Sequence, residues 1–255
     1  IAIKTHGNID VLEVNDIDSP NCPSDKIKIN IKACAINHLD IWVRNGIPGI
    51  DIPLPLILGS DASGTIVEVG SDINNYEIGC DVVVQPGTFD KKCSIVKSGK
   101  ENYSKTYGIL GETENGVQAE YVILDPINIY PKPKHLLFEE AASMPLVFMT
   151  AYQMLITRAQ LQPNEIVLVY AATSGVGSAA IQIAKDRGAT VIATVGAAEK
   201  FDHAQDMGAD YIVNHYKNDW HSSVKEIVGE KGVNVIFEHV GSETWRYSMR
   251  LLAKG

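Results

Sequence analysis

The stretch Val167-Leu168-Val169-Tyr170-Ala171-Ala172-Thr173-Ser174-Gly175-Val176-Gly177-Ser178 constrains the fold more than any other. An apolar, β-branched run breaks into small residues and then opens into the helical pattern AAIQIAK at 179–185. That is the signature of a strand, a tight turn and a helix start. Amides at a helix N-terminus offer donors without bulk, and small residues let phosphates approach the main chain. The turn formed by Thr173, Ser174, Gly175, Val176 and Gly177 therefore reads as a dinucleotide cradle. In the G-x-G-x-x-G frame the three glycine positions hold Ala172, Ser174 and Gly177, with an extra glycine at 175. On this segment alone an ordinary strand-to-helix turn is the alternative.

Context strengthens the reading. After the helix come TVIATV (190–195), a polar helix ending at Met207-Gly208-Ala209, a short strand YIV (211–213), another helix, and NVIFEHV (234–240). Strands that alternate with helices pair in parallel through right-handed crossovers, and strands buried on both faces read as continuous apolar runs. The second half is expected to be a doubly wound nucleotide-binding domain.

Residues 1–130 read differently. KIKINIKA (26–33), GTIVEVG (64–70), DVVVQPG (81–87) and AEYVIL (119–124) alternate and are separated by Gly, Pro, Asn and Asp clusters, the pattern of a small antiparallel barrel. The segment 131–155 switches to helical periodicity, with Glu139 and Glu140 near its start where the helix dipole favours acids. The boundary is placed near Pro133, giving domains 1–132 and 133–255.

At 255 residues the chain accommodates two domains of ordinary size, and its formal charge of −9 opposes a general nucleic-acid surface. Cys22, Cys34, Cys80 and Cys93 are widely spaced without a C-x-x-C pair, which suits a reducing, cytoplasmic setting. The longest apolar segment, AASMPLVFMTAY (141–152), is too short to span a bilayer and carries a proline, so no membrane partner is expected. The chain starts at Ile1 and stops where a further strand is expected, so both ends read as trimmed.

Phrases in a fixed order carry a family resemblance: AINHLDIWVRNGIPG (35–49), LILGSDASGTIVEVG (56–70), YGILGETENGVQAEYV (107–122), AASMPLVFMTAYQML (141–155), ATSGVGSAAIQIAK (172–185) and MGADYIVN (207–214). Together they resemble the medium-chain dehydrogenase/reductase superfamily, which includes zinc alcohol dehydrogenases and zinc-free quinone oxidoreductases. The resemblance implies an α/β plus β architecture: an N-terminal GroES-like β-barrel domain and a C-terminal Rossmann domain, here without its last strands. It also implies a homo-oligomer, dimer or tetramer, by analogy.

In zinc-dependent members the catalytic metal is held at positions that match Asn37, Ser60 and Leu146. None of the three is a strong zinc ligand, since zinc takes thiolate, imidazole or carboxylate. Of the four cysteines of the family's structural-zinc lobe, only Cys93 stands in the segment 86–105. Asp90, Val96 and Ser104 occupy the other places. No zinc is expected, the lobe should persist as a surface loop, and Cys93 should be an inert remnant.

NAD-specific Rossmann domains end the second strand with an acid that binds the ribose 2′-hydroxyl. Here Gly196 stands there and Lys200 follows, similar to the zinc-free quinone oxidoreductases, which favours NADPH with NADH as the alternative. The alternative for Lys200 is a solvated helix residue beside Glu199. By the same resemblance His38 meets the pyrophosphate, Thr150 lies under the nicotinamide, and backbone groups of Val240 and Gly241 meet its ribose. A structural loop histidine and a helix-bonded threonine are the alternatives for His38 and Thr150.

Without a metal to polarise a carbonyl, alcohol oxidation lacks its Lewis acid, whereas hydride delivery to a quinone or an α,β-unsaturated carbonyl needs only positioning and a few donors. Asn37 is the expected amide donor, with Asp40 orienting the loop and Trp42 shaping the pocket where relatives often carry a tyrosine. Alternatively, Asn37 and Asp40 merely satisfy a turn and Trp42 packs in the core. The expected activity is NADPH-dependent reduction of a small carbonyl or quinone. A zinc-using alcohol dehydrogenase and a catalytically decayed nucleotide-binding protein are the alternatives.

Overall fold

The structure, a computed structural model, describes residues 1–217 and 219–254. It divides into two compact units, Ile1–Leu146 and Val147–Gly255.

The first unit opens with β1 (Ala2–Ile3), β2 (Leu12–Glu13) and β3 (Ile27–Ala35), followed by α1 (His38–Asn45), β4 (Leu56–Ile57) and β5 (Asp61–Val69). Then come β6 (Asp81–Val84), β7 (Gly87–Thr88), α2 (Ser94–Lys97), β8 (Gly108–Ile109), β9 (Tyr121–Leu124), β10 (Ile129–Pro131) and α3 (Phe138–Ala142). Among the described residues the main sheet is antiparallel in the order β10–β6–β5–β3–β9. The alternation read from the sequence explains its core: Ile27 and Ile29 turn inward and are fully buried, opposite Ile66, Val122 and Leu124, while Lys28 and Asn30 face away. Each such aliphatic side chain contributes about 1.5–3 kcal/mol on burial. The barrel-like first half expected from the sequence is thus present. Register shifts between Lys28 and Ile29 and between Ile31 and Ala33 bend β3, the bulge device that curves a sheet. The single helical stretch expected over 131–155 is divided. α3 ends at Ala142, α4 runs from Pro145 to Tyr152, and a π-helical turn follows over Gln153–Arg158.

The second unit alternates β11 (Ile166–Val169), α5 (Gly175–Asp186), β12 (Thr190–Val195), α6 (Phe201–Asp206), β13 (Tyr211–Asn214), α7 (Trp220–Val228), β14 (Val235–Phe237) and α8 (Ser242–Leu251). Among the described residues its sheet is wholly parallel, in the order β13–β12–β11–β14. Val167, Leu168, Val169, Val191, Ile192 and Ala193 are all completely buried, because helices cover both faces. The chain leaving α8 makes an isolated parallel bridge, Leu252 beside Val233, just before β14. One strand is shorter than its apolar run suggests. NVIFEHV extends only from Val235 to Phe237, because the Glu238 carboxylate captures the next amides of its own chain and turns the backbone.

Candidate functional site

In the first unit the site residues gather where β3 hands over to α1. Asn37 is the N-cap of α1, and Asp40, three residues on, accepts its backbone N–H at 2.7 Å through Oδ2. This reciprocal arrangement starts the helix and fixes its entry angle. Asp40 is only 6% exposed, and its Oδ1 has no hydrogen-bond partner among the described residues. Burial pushes its carboxyl above the usual range, against the amides of Asn37 and Gly59. His38 and Trp42 stack edge to face one turn apart, ring centroids 4.9 Å apart. Trp42 is 54% exposed, so it is not a core residue.

The residue that organises this corner stands one position beyond Ser60. Asp61, completely buried at the start of β5, accepts the Asn37 side-chain amide at 2.9 Å and the backbone N–H of Leu146 at 2.9 Å. Burial raises its carboxyl to about 6, with the charge of Asp40 acting in the same direction and the two hydrogen bonds opposing. Ser60, beside it and 1% exposed, donates its hydroxyl to the Leu110 carbonyl at 2.8 Å. At the three positions that the resemblance matches to zinc ligands, this chain therefore offers an amide committed to Asp61, a hydroxyl committed to a carbonyl, and a leucine whose N–H is also on Asp61. That donor set does not fit zinc. No group of three His, Cys, Asp or Glu side chains able to hold a metal occurs among the described residues.

The segment that matches the structural-zinc lobe is held by hydrogen bonds. Ser104 Oγ donates to Cys93 Sγ at 3.6 Å and lies 2.8 Å from Thr106 Oγ1, while Thr106 Oγ1 accepts the amide of Asp90 at 3.1 Å. The Ser104 hydroxyl and the amides of Ile95 and Val96 hold the Cys93 thiol below its usual range.

In the second unit the candidate cradle follows β11. Ser174 caps α5, its Oγ accepting the Gly177 N–H at 3.1 Å, and Ser178 donates to the Ala172 carbonyl at 3.2 Å. By helix geometry the amides of Gly175 and Val176 have no intrahelical acceptor and point outward along the axis. A Cβ at Gly177 would lie 2.3 Å from the Ala171 carbonyl oxygen, so only glycine allows this approach of helix to turn. Ala171 itself adopts a left-handed backbone, φ 45°. Thr173 is half-buried in the turn, and Thr150 is half-buried on α4.

Beyond β12, Gly196 lies close to two side chains: a Cβ there would come within 2.7 Å of the exposed Tyr216 ring and 3.3 Å of His215 Nε2. Lys200 is exposed, and its charge, together with the larger effect of burial, lowers the His215 imidazole. Gly196, Lys200 and His215 thus share the carboxyl end of β12 and β13. His215 was not singled out in the sequence, because a histidine after a strand carries no pattern. Val240 and Gly241 follow β14, and their amides are donated to Glu238 Oε1 at 2.9 and 3.1 Å.

A family pattern described as "Alcohol dehydrogenase GroES-like domain" matches residues 23–134, and one described as "Zinc-binding dehydrogenase" matches 175–255. Quinone oxidoreductase 1 of Escherichia coli is 31% identical over all of this chain and 69% of its own length. The crotonyl-CoA carboxylase/reductase of Cereibacter sphaeroides is 30% identical over 99% of this chain and 66% of its own. The chain thus spans about two thirds of the length of these relatives. Among solved structures, an NAD-dependent alcohol dehydrogenase superposes with a TM-score of 0.96 at 41% identity, covering 99% of this chain and 74% of its own. The Escherichia coli quinone oxidoreductase complexed with NADPH gives 0.82 at 28%, covering 99% and 69%. No helix among the described residues is long and apolar enough to cross a membrane. With a GroES-like first unit, a Rossmann second unit and relatives of both kinds along its whole length, the chain belongs to the medium-chain dehydrogenase/reductase superfamily of NAD(P)H-dependent oxidoreductases.

Proposed function

We propose that this protein reduces a quinone or an α,β-unsaturated carbonyl with NADPH and without a catalytic metal. The observation that carries the reading is the Asn37–Asp61–Leu146 knot, which commits to hydrogen bonding the positions where zinc-dependent relatives place ligands. When bound, NADPH supplies a hydride from nicotinamide C4. The chain's own residues do the rest. The first-turn amides of α5 receive the pyrophosphate, and the small side chains of the turn let it approach. Lys200 faces the 2′-phosphate, for which the absence of an acid at Gly196 leaves room. His38 supports the pyrophosphate, Thr150 the nicotinamide, and the Val240–Gly241 turn its ribose.

Asp61 holds one hydrogen of the Asn37 amide; the second is the donor we assign to the acceptor oxygen, where charge develops during hydride transfer. A single donor of this kind is worth roughly 10²–10³ in rate. An acceptor that delocalises the arriving charge needs no stronger electrophile, and a small carbonyl or quinone is the substrate class. Steady-state assays with NADPH and NADH across quinones and enones test the reading. Turnover that persists after exhaustive chelation and falls about 10²-fold in Asn37→Ala is expected. Unchanged turnover in Asn37→Ala refutes the donor role.

A second reading, an alcohol dehydrogenase using NAD, is favoured by the 41% identity with a solved enzyme of that description. Alcohol oxidation with NAD that tracks stoichiometric bound zinc would establish it.

A further inference from the structure

The parallel sheet reverses its winding between β11 and β14, since β12 and β13 lie on one side of β11 and β14 on the other. Doubly wound folds take ligands in the crevice outside the carboxyl ends of the strands at such a switch point. One wall follows β11 and begins with Tyr170 and Ala171. The other follows β14 and begins with Glu238.

These walls are joined. Glu238 Oε1 accepts the amides of Val240 and Gly241 and, at 2.9 Å, the hydroxyl of Thr244 on α8. Its Oε2 lies 2.7 Å from Ser248 Oγ, which in turn lies 3.0 Å from Tyr170 Oη. A carboxylate only accepts, and serine has one hydroxyl proton, so Ser248 donates to Glu238 and Tyr170 donates to Ser248. Tyr170 and Ser248 are 1% and 3% exposed, so their end of the relay is shielded from water, whereas Glu238 is half-buried. Burial raises the Tyr170 phenol to about 12, which keeps it a donor. Burial acts upward on Glu238 too, but Ser248, Gly241, Val240 and Thr244 together hold its carboxyl below the usual range, so it remains the charged acceptor.

We propose that Glu238 is a positioning residue for the nicotinamide half of the bound dinucleotide, holding the Val240–Gly241 turn by its amides and tying that turn through Ser248 and Tyr170 to the phosphate cradle. The two amides are closed to the ligand, and the turn meets it through its remaining backbone atoms and side chains. The proposal rests on the reading of a bound NADPH. Adenosine 2′,5′-bisphosphate carries only the adenosine half, so it binds on the Gly196 and Lys200 side and does not report on this turn.

Fluorescence titration of the whole chain with NADPH, and competition with adenosine 2′,5′-bisphosphate, tests the assignment in Glu238→Gln and Ser248→Ala. Glu238→Gln is expected to weaken NADPH about tenfold and the bisphosphate less than twofold, with Ser248→Ala showing the same selectivity to a smaller degree. Equal loss of both ligands, or loss of neither, overturns the proposal. Amide hydrogen exchange at Val240 and Gly241 separates the two readings. Protection in the parent that is lost in Glu238→Gln while the parent binds no NADPH leaves the strut standing, refutes the cofactor reading, and removes the positioning role with it. Should Glu238→Gln fail to fold, Ser248→Ala decides alone.

Discussion

Replacing Asp61 by asparagine gives the sharpest test of how the first unit is built. Its carboxyl is completely buried and raised from 3.8 to about 6, principally by burial. A folded-state value above the unfolded one means that the folded chain binds the proton more tightly. Stability from this group is therefore greatest below pH 3.8 and is lost as pH rises through about 6. Two pKa units at 1.36 kcal/mol each put the full loss at about 3 kcal/mol. An asparagine does not ionise, so Asp61→Asn escapes that loss but gives up hydrogen bonds to a charged acceptor, at about 1.5–3 kcal/mol each. It can still present an oxygen to the Leu146 N–H, but its amide nitrogen then confronts the donor of Asn37. The absolute difference at neutral pH is thus small, whereas its pH dependence is not. Between pH 5 and pH 8 the variant should gain about 1.4 kcal/mol on the parent, a step broadened by the neighbouring Asp40 charge. Urea unfolding followed by tryptophan fluorescence at four pH values measures the slope. Parallel profiles for variant and parent would show that Asp61 does not bear this ionisation cost, and the argument would fall.

Gly177→Ala should lower stability by about 1–3 kcal/mol and abolish nucleotide binding, because its methyl meets backbone rather than a movable side chain; a thermal melt and a titration check both. Lys200→Ala should weaken NADPH by about tenfold while leaving NADH nearly unchanged, and equal effects on the two nucleotides would remove Lys200 from the phosphate site. Iodoacetamide labelling with peptide mapping should modify Cys93 faster than Cys22 or Cys34. Hydrogen bonds hold the Cys93 thiol down, whereas burial, the largest influence on the other two, pushes theirs up.

The second unit was legible because its physics is local. A strand buried on both faces must be apolar throughout, so Val167–Tyr170 and Thr190–Val195 announce themselves, and the glycines between strand and helix follow from the turn. The barrel strands were legible for the same reason, with one face apolar. Asp61 was not, because its partners lie 24 and 85 residues away and nothing near it in the chain signals them. Glu238 was read as strand because its apolar neighbours fit the pattern, and only a carboxylate folding back on its own amides ends the ladder there. The lobe around Cys93 shows in the sequence only what it has lost, because the Ser104 hydroxyl that contacts the thiol lies 11 residues away.

The left-handed Ala171 has a consequence of its own. Glycine would adopt φ 45° without strain, whereas alanine is held there by the surrounding fold at a cost of about 1–2 kcal/mol. The same methyl narrows the conformations open to the turn, so under the proposed reading a cradle carrying alanine is set before a phosphate arrives. Little ordering entropy is then charged to binding. A chain that accepts strain at this residue exchanges a fraction of its folding stability for a receptor shaped in advance of its ligand.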